Sequence, residues 1–312
     1  MFLTWKMECP TLLMFLCDMK YVLENDLVVV TISALGAEVR SMVLKKDQSE
    51  YIWQGDPKIW TGRAPLVFPI VGRLKEDTYT FEGHTFTMPQ HGFGSSTVFS
   101  VINYKSDEIV FSLRNTAATY VQYPFRFELR IHYSLKGTTL TKSHTMLNLD
   151  DRPLYYAIGG HDGYNLCFRE GEVLEDYEID FQGLDKLTPL EVDTHYHILK
   201  ETYDLPLQRG KLPLTMEVFR KGALVCHDIP VRTIRIVSRR SKRSICVSFE
   251  DFKTVGIWTK YLPKAANYLC IEPWSSLPDC AYVGKALEEK VDIRKLLPNL
   301  HETLRFSVTI GE

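Results

Sequence analysis

Short runs of β-branched and aromatic residues recur along almost the whole chain from Tyr21 onward, and this pattern restricts the fold most. Segment 27–32 is rich in Val, Thr and Ile, which favour extended structure. Segment 125–135 alternates apolar with polar residues, which predicts a long strand with one buried face. At 79–88, Gly83 between two short runs predicts a hairpin. Comparable runs follow at 38–44, 98–104, 109–113, 140–147, 231–237, 244–249, 255–258, 268–271 and 304–310.

The helical signal is weak by comparison. The best candidate helix is segment 284–297, where Leu287, Val291 and Leu296 are only loosely periodic. No repeat of convincing period and no low-complexity linker interrupts the strand pattern. We therefore predict an all-β fold, a sandwich or barrel with few short helices, in one domain over residues 19–312.

The first eighteen residues do not share this pattern. They contain one Lys and an apolar run at 11–17, which is too short to span a membrane and lacks the features of a secretory signal. Regular patterning starts near Lys20. Our hypothesis is that Met19 is the natural start and that residues 1–18 are a disordered or misassigned extension.

Charge and cysteine content narrow the partners and the compartment. The chain has 37 basic and 39 acidic residues, so no global field attracts nucleic acid or anionic lipid. The basic cluster at 239–243 lies between two predicted strands and is interpreted as a solvated hairpin tip. Seven cysteines without a CxxC pair indicate reduced structural thiols in a cytoplasmic protein. We predict no nucleic-acid or membrane partner, and a monomer or homodimer.

Several common catalytic motifs are missing from the sequence. It has no GxSxG nucleophile elbow, no P-loop, no GxGxxG turn and no HExxH zinc motif. The pair His195 and His197 would lie on one face of a strand, but no third ligand is near in sequence. We interpret these two as surface histidines and predict neither a metal nor another cofactor.

Two strings that break the strand pattern carry a histidine beside glycines and an aromatic residue. They are QHGFG with His91 and GGHDGY with His161. Glycine lets the backbone bend and leaves room for a ligand, and imidazole can give or take a proton near neutrality. A structural histidine in a tight loop is an equal alternative for each string.

Two further strings supply an acid and a guanidinium. Glu272 follows an apolar strand and precedes Pro273 and Trp274, an environment that can raise the pKa of a general base. Trp274 also offers a flat apolar face for a sugar ring, although core packing explains it equally well. Arg73 ends an apolar run bounded by prolines and suits vicinal hydroxyls or carboxylates, or a strand-end salt bridge. These groups suit proton transfer on a polar, uncharged substrate.

Taken together, the strings resemble those of the aldose 1-epimerase (galactose mutarotase) family, and within it the LacX-like branch. The matching strings are GAEVRSMV (36–43), EYIWQGDPKIW (50–60), APLVFPIVGRLK (64–75), QHGF (90–93), IGGH (158–161), GIWTK (256–260), CIEPW (270–274) and PD (278–279). They follow the family order over nearly the whole chain.

The resemblance implies a single large antiparallel β-sandwich and the interconversion of α and β anomers of an aldohexose such as glucose or galactose. It implies that Glu272 is the general base on the anomeric hydroxyl and His161 the general acid on the ring oxygen. His91 would hydrogen-bond near the ring oxygen, and Arg73 would anchor sugar hydroxyls.

The sequence departs from the family at two places. Asp162 stands where the family usually has Pro, and it would hydrogen-bond His161, bind substrate or face solvent. Residues 219–224 lack the substrate-binding Asp that the family commonly places there and offer Arg220 and Lys221 instead. These departures leave two alternatives open: a hexose 6-phosphate mutarotase, with Lys75 as a third cation, and a non-catalytic carbohydrate-binding protein on the same fold.

Overall fold

Strands form most of the regular structure of the protein, a computed structural model that describes residues 19–263 and 267–311. The hypothesis about residues 1–18 lies outside these residues. In chain order the strands are β1 (Lys20–Glu24), β2 (Val28–Ser33), β3 (Val39–Leu44), β4 (Ser49–Glu50), β5 (Leu66–Val67), β6 (Thr78–Phe81), β7 (His84–Thr87), β8 (Ser100–Tyr104), β9 (Glu108–Arg114), β10 (Phe127–Lys136), β11 (Thr139–Asn148), β12 (Leu154–Tyr156), β13 (Gly159–Gly160), β14 (Asp162–Asn165), β15 (Tyr177–Asp180), β16 (Lys186–Leu187), β17 (Leu190–Val192), β18 (Ile198–Thr202), β19 (Leu205–Pro206), β20 (Lys211–Pro213), β21 (Leu224–His227), β22 (Thr233–Ser238), β23 (Ser244–Ser248), β24 (Thr254–Trp258), β25 (Tyr268–Trp274), β26 (Arg294–Leu296) and β27 (His301–Gly311).

Helical structure is sparse in the described ranges, as the sequence predicts. It comprises one short α-helix and five 3₁₀ turns, namely α1 (Ala117–Gln122), Lys75–Asp77, Gly94–Ser96, Leu174–Asp176, Met216–Phe219 and Leu287–Glu289. The predicted helix at 284–297 is wrong. Leu287 and Leu296 are buried from a 3₁₀ turn and from β26 respectively, and Asp292 between them has a left-handed φ of 57° that interrupts any helix.

Two large antiparallel sheets face each other across the core. The nine-stranded sheet runs β20-β15-β22-β23-β27-β11-β10-β9-β8, and the eight-stranded sheet runs β18-β17-β21-β24-β25-β13-β5 with β14 also paired to β25. The alternation predicted at 125–135 is confirmed in β10, where Phe127, Leu129, Ile131 and Tyr133 are all buried. The predicted hairpin at 79–88 is confirmed as β6 and β7.

Two other predictions concern connections between strands. The basic cluster at 239–243 joins β22 to β23, as predicted, and its arginines contact carboxylates of Asp176 and Asp47. The prediction that His195 and His197 share a strand face is wrong. Both lie in the turn between β17 and β18, where the carboxylate of Asp193 accepts their backbone N–H groups.

Strand β25 separates the core from the outer face of the eight-stranded sheet. Leu269 and Ile271 belong to the main core, whereas Tyr268 and Cys270 pack with Trp residues in a separate outer cluster. Because side chains alternate along a strand, Glu272 lies on the same outer face as Cys270. The strand therefore supports the fold with one face and presents a carboxyl group with the other.

The turn that carries His91 requires glycine at position 92. Gly92 has a φ of +74°, and a Cβ there would lie 2.1 Å from the carbonyl oxygen of Phe68. Gly83 has a similar φ of +78° but open space around it. The two glycines therefore share a backbone requirement and differ in crowding.

We expect Gly92→Ala to lower the free energy of unfolding by about 3 kcal/mol or more, because it adds a steric clash to left-handed strain. Gly83→Ala, the matched control, should lose only about 1–2 kcal/mol. Urea unfolding of the two variants measures the difference. Equal losses would show that crowding at Gly92 does not matter.

Candidate active site

Five of the six predicted site residues line one cavity. The cavity has a volume of about 540 Å³ and opens on the outer face of the eight-stranded sheet. It is lined by Arg73, His91, His161, Glu272 and Trp274. These residues are spread over two hundred positions of sequence, so the sheet brings them together.

The contact between His161 and Glu272 lies inside this cavity. Glu272 projects from β25, and His161 lies at the junction of β13 and β14, whose strands pair with β25. The backbone N–H of His161 donates to the carbonyl oxygen of Pro65 at 3.0 Å. The Nε2 atom of His161 is 3.2 Å from Oε2 of Glu272, and the Glu272 side chain is only 2% exposed.

Burial sets the proton affinity of both groups. It raises the pKa of Glu272 well above its ordinary value, and the negative charge of Asp162 raises it further. Burial, together with the charge of His91, lowers the pKa of His161 to about 3. Because the two groups touch, we treat them as one unit that holds a single shared proton near neutral pH. A proton can therefore move between an acid and a base without a change in net charge.

Aromatic rings hold the imidazole of His161 in place. Trp60 stacks on it with centroids 5.0 Å apart, and Trp258 and His91 approach it edge-on at 5.6 and 5.4 Å. Both tryptophans line the cavity. Both lie within the matching segments 50–60 and 256–260, but the sequence did not predict them as site residues, because their contacts with His161 join distant parts of the chain.

His91 is held in one tautomer by its own loop. Its Nδ1 accepts the backbone N–H of Gly72 at 3.2 Å, while the backbone N–H of His91 donates to the Gly72 carbonyl oxygen at 2.8 Å. Burial lowers the pKa of His91 to about 4. The ring is then neutral near pH 7 and carries its proton on Nε2, so it can donate one hydrogen bond.

Arg73 lies at the mouth of the cavity and is about half exposed. Its guanidinium forms a two-point contact with Asp77, with Nε–Oδ1 at 2.8 Å and Nη2–Oδ2 at 3.1 Å. The salt bridge that the sequence offered as an alternative is therefore present. Because Arg73 also lines the cavity, it remains a predicted anchor for sugar hydroxyls.

Two glycines provide the space that the indole ring of Trp274 occupies. A Cβ at Gly256 would lie 2.4 Å from the indole ring, and one at Gly159 would lie 2.9 Å from it. At Gly160 the close neighbour is Phe306 in the core. The sequence-based interpretation that the glycines beside His161 leave room for a ligand is therefore wrong, since side chains of the protein fill that space.

The structure places Asp162 away from the cavity. Because Asp162 pairs with Ile271, an inward residue of β25, its side chain points into the core, opposite to that of Glu272. There it is 1% exposed and pairs with Lys142 from β11. The predictions that Asp162 binds substrate, bonds His161 or faces solvent are not supported by this position.

Segment 219–224 also reaches the cavity, and it does so without a carboxylate. Lys221, Gly222 and Ala223 line the wall, and Nζ of Lys221 donates to Glu191 at 2.8 Å. This part of the site agrees with the departure noted in the sequence.

One cluster has the composition of a metal site. Ligand atoms of His161, Cys270 and Glu272 lie within 4.8 Å of one another. Burial raises the pKa of Cys270 well above its ordinary value, as it does for Glu272. Metals bind the deprotonated forms of these ligands, so this environment disfavours metal binding.

Comparison with known proteins identifies the family. The model of the aldose 1-epimerase family matches residues 19–286. The chain belongs to the aldose 1-epimerase family. The plasmid-encoded protein LacX of Lactococcus lactis subsp. lactis is 29% identical over 296 residues, which cover 92% of this chain and 98% of LacX.

Solved structures agree with this family assignment. A galactose mutarotase related enzyme from Lactobacillus acidophilus is 32% identical, with a TM-score of 0.89 over 94% of this chain and 98% of that one. A galactose mutarotase-like protein from Lactobacillus casei is 25% identical, with a TM-score of 0.87 over 94% and 100%. The predicted LacX-like, galactose mutarotase-type sandwich is thereby confirmed.

The raised pKa of Glu272 predicts how stability depends on pH. An unfolded Glu releases its proton near pH 4.3, whereas the buried pair keeps one, so the contribution of this carboxyl to wild-type stability falls as pH rises. We expect Glu272→Gln to gain stability relative to wild type between pH 5 and 8, by up to about 1.4 kcal/mol per pH unit. Urea unfolding across this range measures the difference. A constant difference would contradict the retained proton.

Proposed function

We propose that this protein is an aldose 1-epimerase that interconverts the α and β anomers of an uncharged aldohexose, with glucose and galactose as the first candidates. The observation that carries the proposal is the 3.2 Å contact between His161 and Glu272 in a cavity of about 540 Å³. An acid beside a base is what a hemiacetal needs, because its two oxygens share one carbon.

The proposed reaction begins once the shared proton has moved to His161, which leaves Glu272 ionised. Glu272 removes the proton of the anomeric hydroxyl, and the O–H electrons form the carbonyl bond. The bond from C1 to the ring oxygen breaks, and His161 delivers its proton to that oxygen. The free aldehyde then rotates about the C1–C2 bond, and the same two groups reverse their roles on closure.

This cycle keeps the proton count of the pair constant. Ring opening converts the ion pair into a neutral Glu272–His161 pair, and ring closure restores it. The active enzyme therefore carries one proton on the pair, and both gain and loss of a proton inactivate it. We expect a bell-shaped pH profile for kcat/KM.

Three other residues would bind the sugar. His91 would donate Nε2–H to an oxygen near the ring, and Arg73 would bind hydroxyls at the mouth. Trp274 is buried in the cavity wall and would pack against the C–H face of the ring. No cofactor takes part in the proposed reaction.

The hexose 6-phosphate alternative is less well supported. Among the described residues, the Arg and Lys side chains that line the cavity already have carboxylate partners, Arg73 with Asp77 and Lys221 with Glu191. Arg220 pairs with Glu217, and the ammonium of Lys75 donates to backbone carbonyls of Ala281 and Val283. A phosphate would have to displace one of these partners, whereas a neutral sugar would not.

We expect wild type to accelerate mutarotation of fresh α-D-glucose or α-D-galactose, measured by polarimetry, with chelator present. Glu272→Gln and His161→Gln should each reduce kcat by about 10²–10⁴-fold, because each removes one proton-transfer group. Glu178→Gln, a carboxylate on the nine-stranded sheet, is the matched control and should keep full activity.

If folded wild type does not accelerate mutarotation of either sugar, the epimerase proposal is wrong for these sugars. Calorimetric titration with the same sugars would then identify a non-catalytic binder.

The phosphate alternative has its own test. We expect kcat/KM for glucose to exceed that for glucose 6-phosphate, and Lys221→Ala to change neither by more than about twofold, because its charge is already paired. A strong preference for the phosphate that Lys221→Ala abolishes would reverse the assignment.

A cytoplasmic location and a monomeric or dimeric state stay predictions. The location is supported by free thiols at all five cysteines that the structure describes. Within the described residues no helix is long and apolar enough to cross a membrane.

A further inference from the structure

A buried ion pair lies directly behind the candidate active site. Lys142 on β11 and Asp162 on β14 are 3% and 1% exposed, and Nζ of Lys142 donates to Oδ2 of Asp162. The two strands belong to opposite sheets, so the pair crosses the core of the sandwich. The proposed reaction assigns it no role.

Packing alone gives no reason for such a pair. Removing two charges from water is costly, and well-packed apolar residues of similar volume often stabilise a core as well or better. The surroundings here are apolar and aromatic: Nζ of Lys142 lies 5.2 Å from the Phe306 ring centroid and 5.9 Å from that of Tyr133. A contribution to stability alone therefore does not account for the Lys142–Asp162 ion pair.

The position of Asp162 relates it to both members of the acid–base pair. It follows His161 in the chain, and its Cα partner on β25 is Ile271, which precedes Glu272. His161 and Glu272 point outward from the sheet, whereas Asp162 points inward. Its carboxylate thus lies one residue away from each group, on the other side of the same sheet.

The two carboxylate oxygens of Asp162 differ in their hydrogen bonds. Oδ2 accepts from Lys142 and from the hydroxyl of Tyr164 at 3.1 Å. Oδ1 is buried and has no hydrogen-bond partner in the described part of the chain. A Cβ built on Gly160 would lie 3.4 Å from Oδ1, so this bare oxygen lies beside the backbone that leads into His161. Both donors therefore contact Oδ2, and Oδ1 has no donor among the described residues.

The orientation of the pair follows from the sheets. The carboxylate belongs to the sheet that carries the active site, and the ammonium reaches it from the opposite sheet. The negative end of this dipole therefore lies nearer to His161 and Glu272. In a low-dielectric core such a field is weakly screened.

We propose that Lys142 and Asp162 are positioning residues for the acid–base pair: Lys142 pairs with the carboxylate of Asp162 in the core, and the fixed negative charge of Asp162 strengthens the hold of Glu272 on the proton that it shares with His161. This inference rests on the proposed function. It adds residues that do not touch the substrate and act only through the catalytic pair.

The pKa values of the acidic groups around Asp162 shift upward, as a nearby negative charge requires. The charge of Asp162 raises the pKa values of Glu272, Cys270, Tyr133 and Tyr164, each in addition to the effect of burial. Other titratable groups pack around His161, Glu272 and Asp162 from several elements. They are His91 on its loop, Cys270 and Tyr268 on β25, Tyr164 on β14, Tyr133 on β10, and Lys142 and His144 on β11.

The test compares pH profiles of kcat/KM for mutarotation. Asp162→Asn removes the negative charge, so both limbs of the profile should move to lower pH by about one unit. The double variant Lys142→Met with Asp162→Leu removes both charges without leaving one buried and unpaired, and it should shift the limbs in the same direction. Lys142→Arg keeps the ion pair and should leave the limbs at their wild-type positions.

A purely structural pair would give a different result. Variants would then lose thermal stability or kcat while the limbs stayed where they are in wild type, and that outcome overturns the inference. The double variant guards against failure of Asp162→Asn to fold, because its core remains apolar and uncharged.

A second measurement does not depend on turnover. Titration of the Glu272 side-chain carboxyl by ¹³C NMR, assigned with Glu272→Gln, reports the proton affinity of the pair directly. A shift to lower pH in Asp162→Asn supports the inference even if wild type is inactive on sugars, in which case only the proposed function fails. An unchanged titration overturns the inference even if the enzyme is active.

Discussion

The two-sided use of β25 is the constraint on which the candidate site depends. Its inward residues Leu269 and Ile271 belong to the core, and its outward residues Cys270, Glu272 and Trp274 form the floor of the cavity and the cluster beside it. A slip of one residue would bury the wrong set and would move Glu272 into the core. Pairing with β24 on one side and with β13 and β14 on the other fixes the register. The forces that build the sandwich therefore also set the position of Glu272.

Much of this arrangement could be predicted from the sequence, because it depends on local patterns. Alternation identified β10, and the strings around His91, His161 and Glu272 identified the groups that meet in the cavity. The helix predicted at 284–297 is wrong because the buried Leu287 belongs to a 3₁₀ turn and the buried Leu296 to a strand, and buried residues without a regular period resemble a weak helix. Trp60 and Trp258 were missed as site residues because their contact with His161 joins distant parts of the chain.

Asp162 shows a different kind of limit. Its position beside His161 in sequence suggested a role in the same cavity, but adjacent residues of a strand point to opposite faces. Strand β14 has only four residues, which is too short to be predicted from alternation. Lys142, the partner of Asp162, lies on the other sheet. Sequence spacing therefore placed Asp162 in the cavity, whereas its side chain lies on the opposite side of the sheet. The contact between Asp162 and Lys142 in the core shows that Asp162 does not reach the cavity directly. Any effect of Asp162 on His161 and Glu272 must act through the backbone or through the electric field of its charge.

The electrostatics of the cavity match a reaction that neither creates nor consumes net charge. In the proposed reaction the His161–Glu272 pair is neutral overall before and after ring opening, and Arg73 and Lys221 in the cavity wall already face carboxylates. A buried site of this kind disfavours any substrate that brings an unpaired charge. The same dry surroundings make the pair sensitive to a fixed charge behind it. In the proposed function a neutral substrate and a charged core residue are compatible: the first would avoid a desolvation cost, and the second would adjust the proton affinity of Glu272.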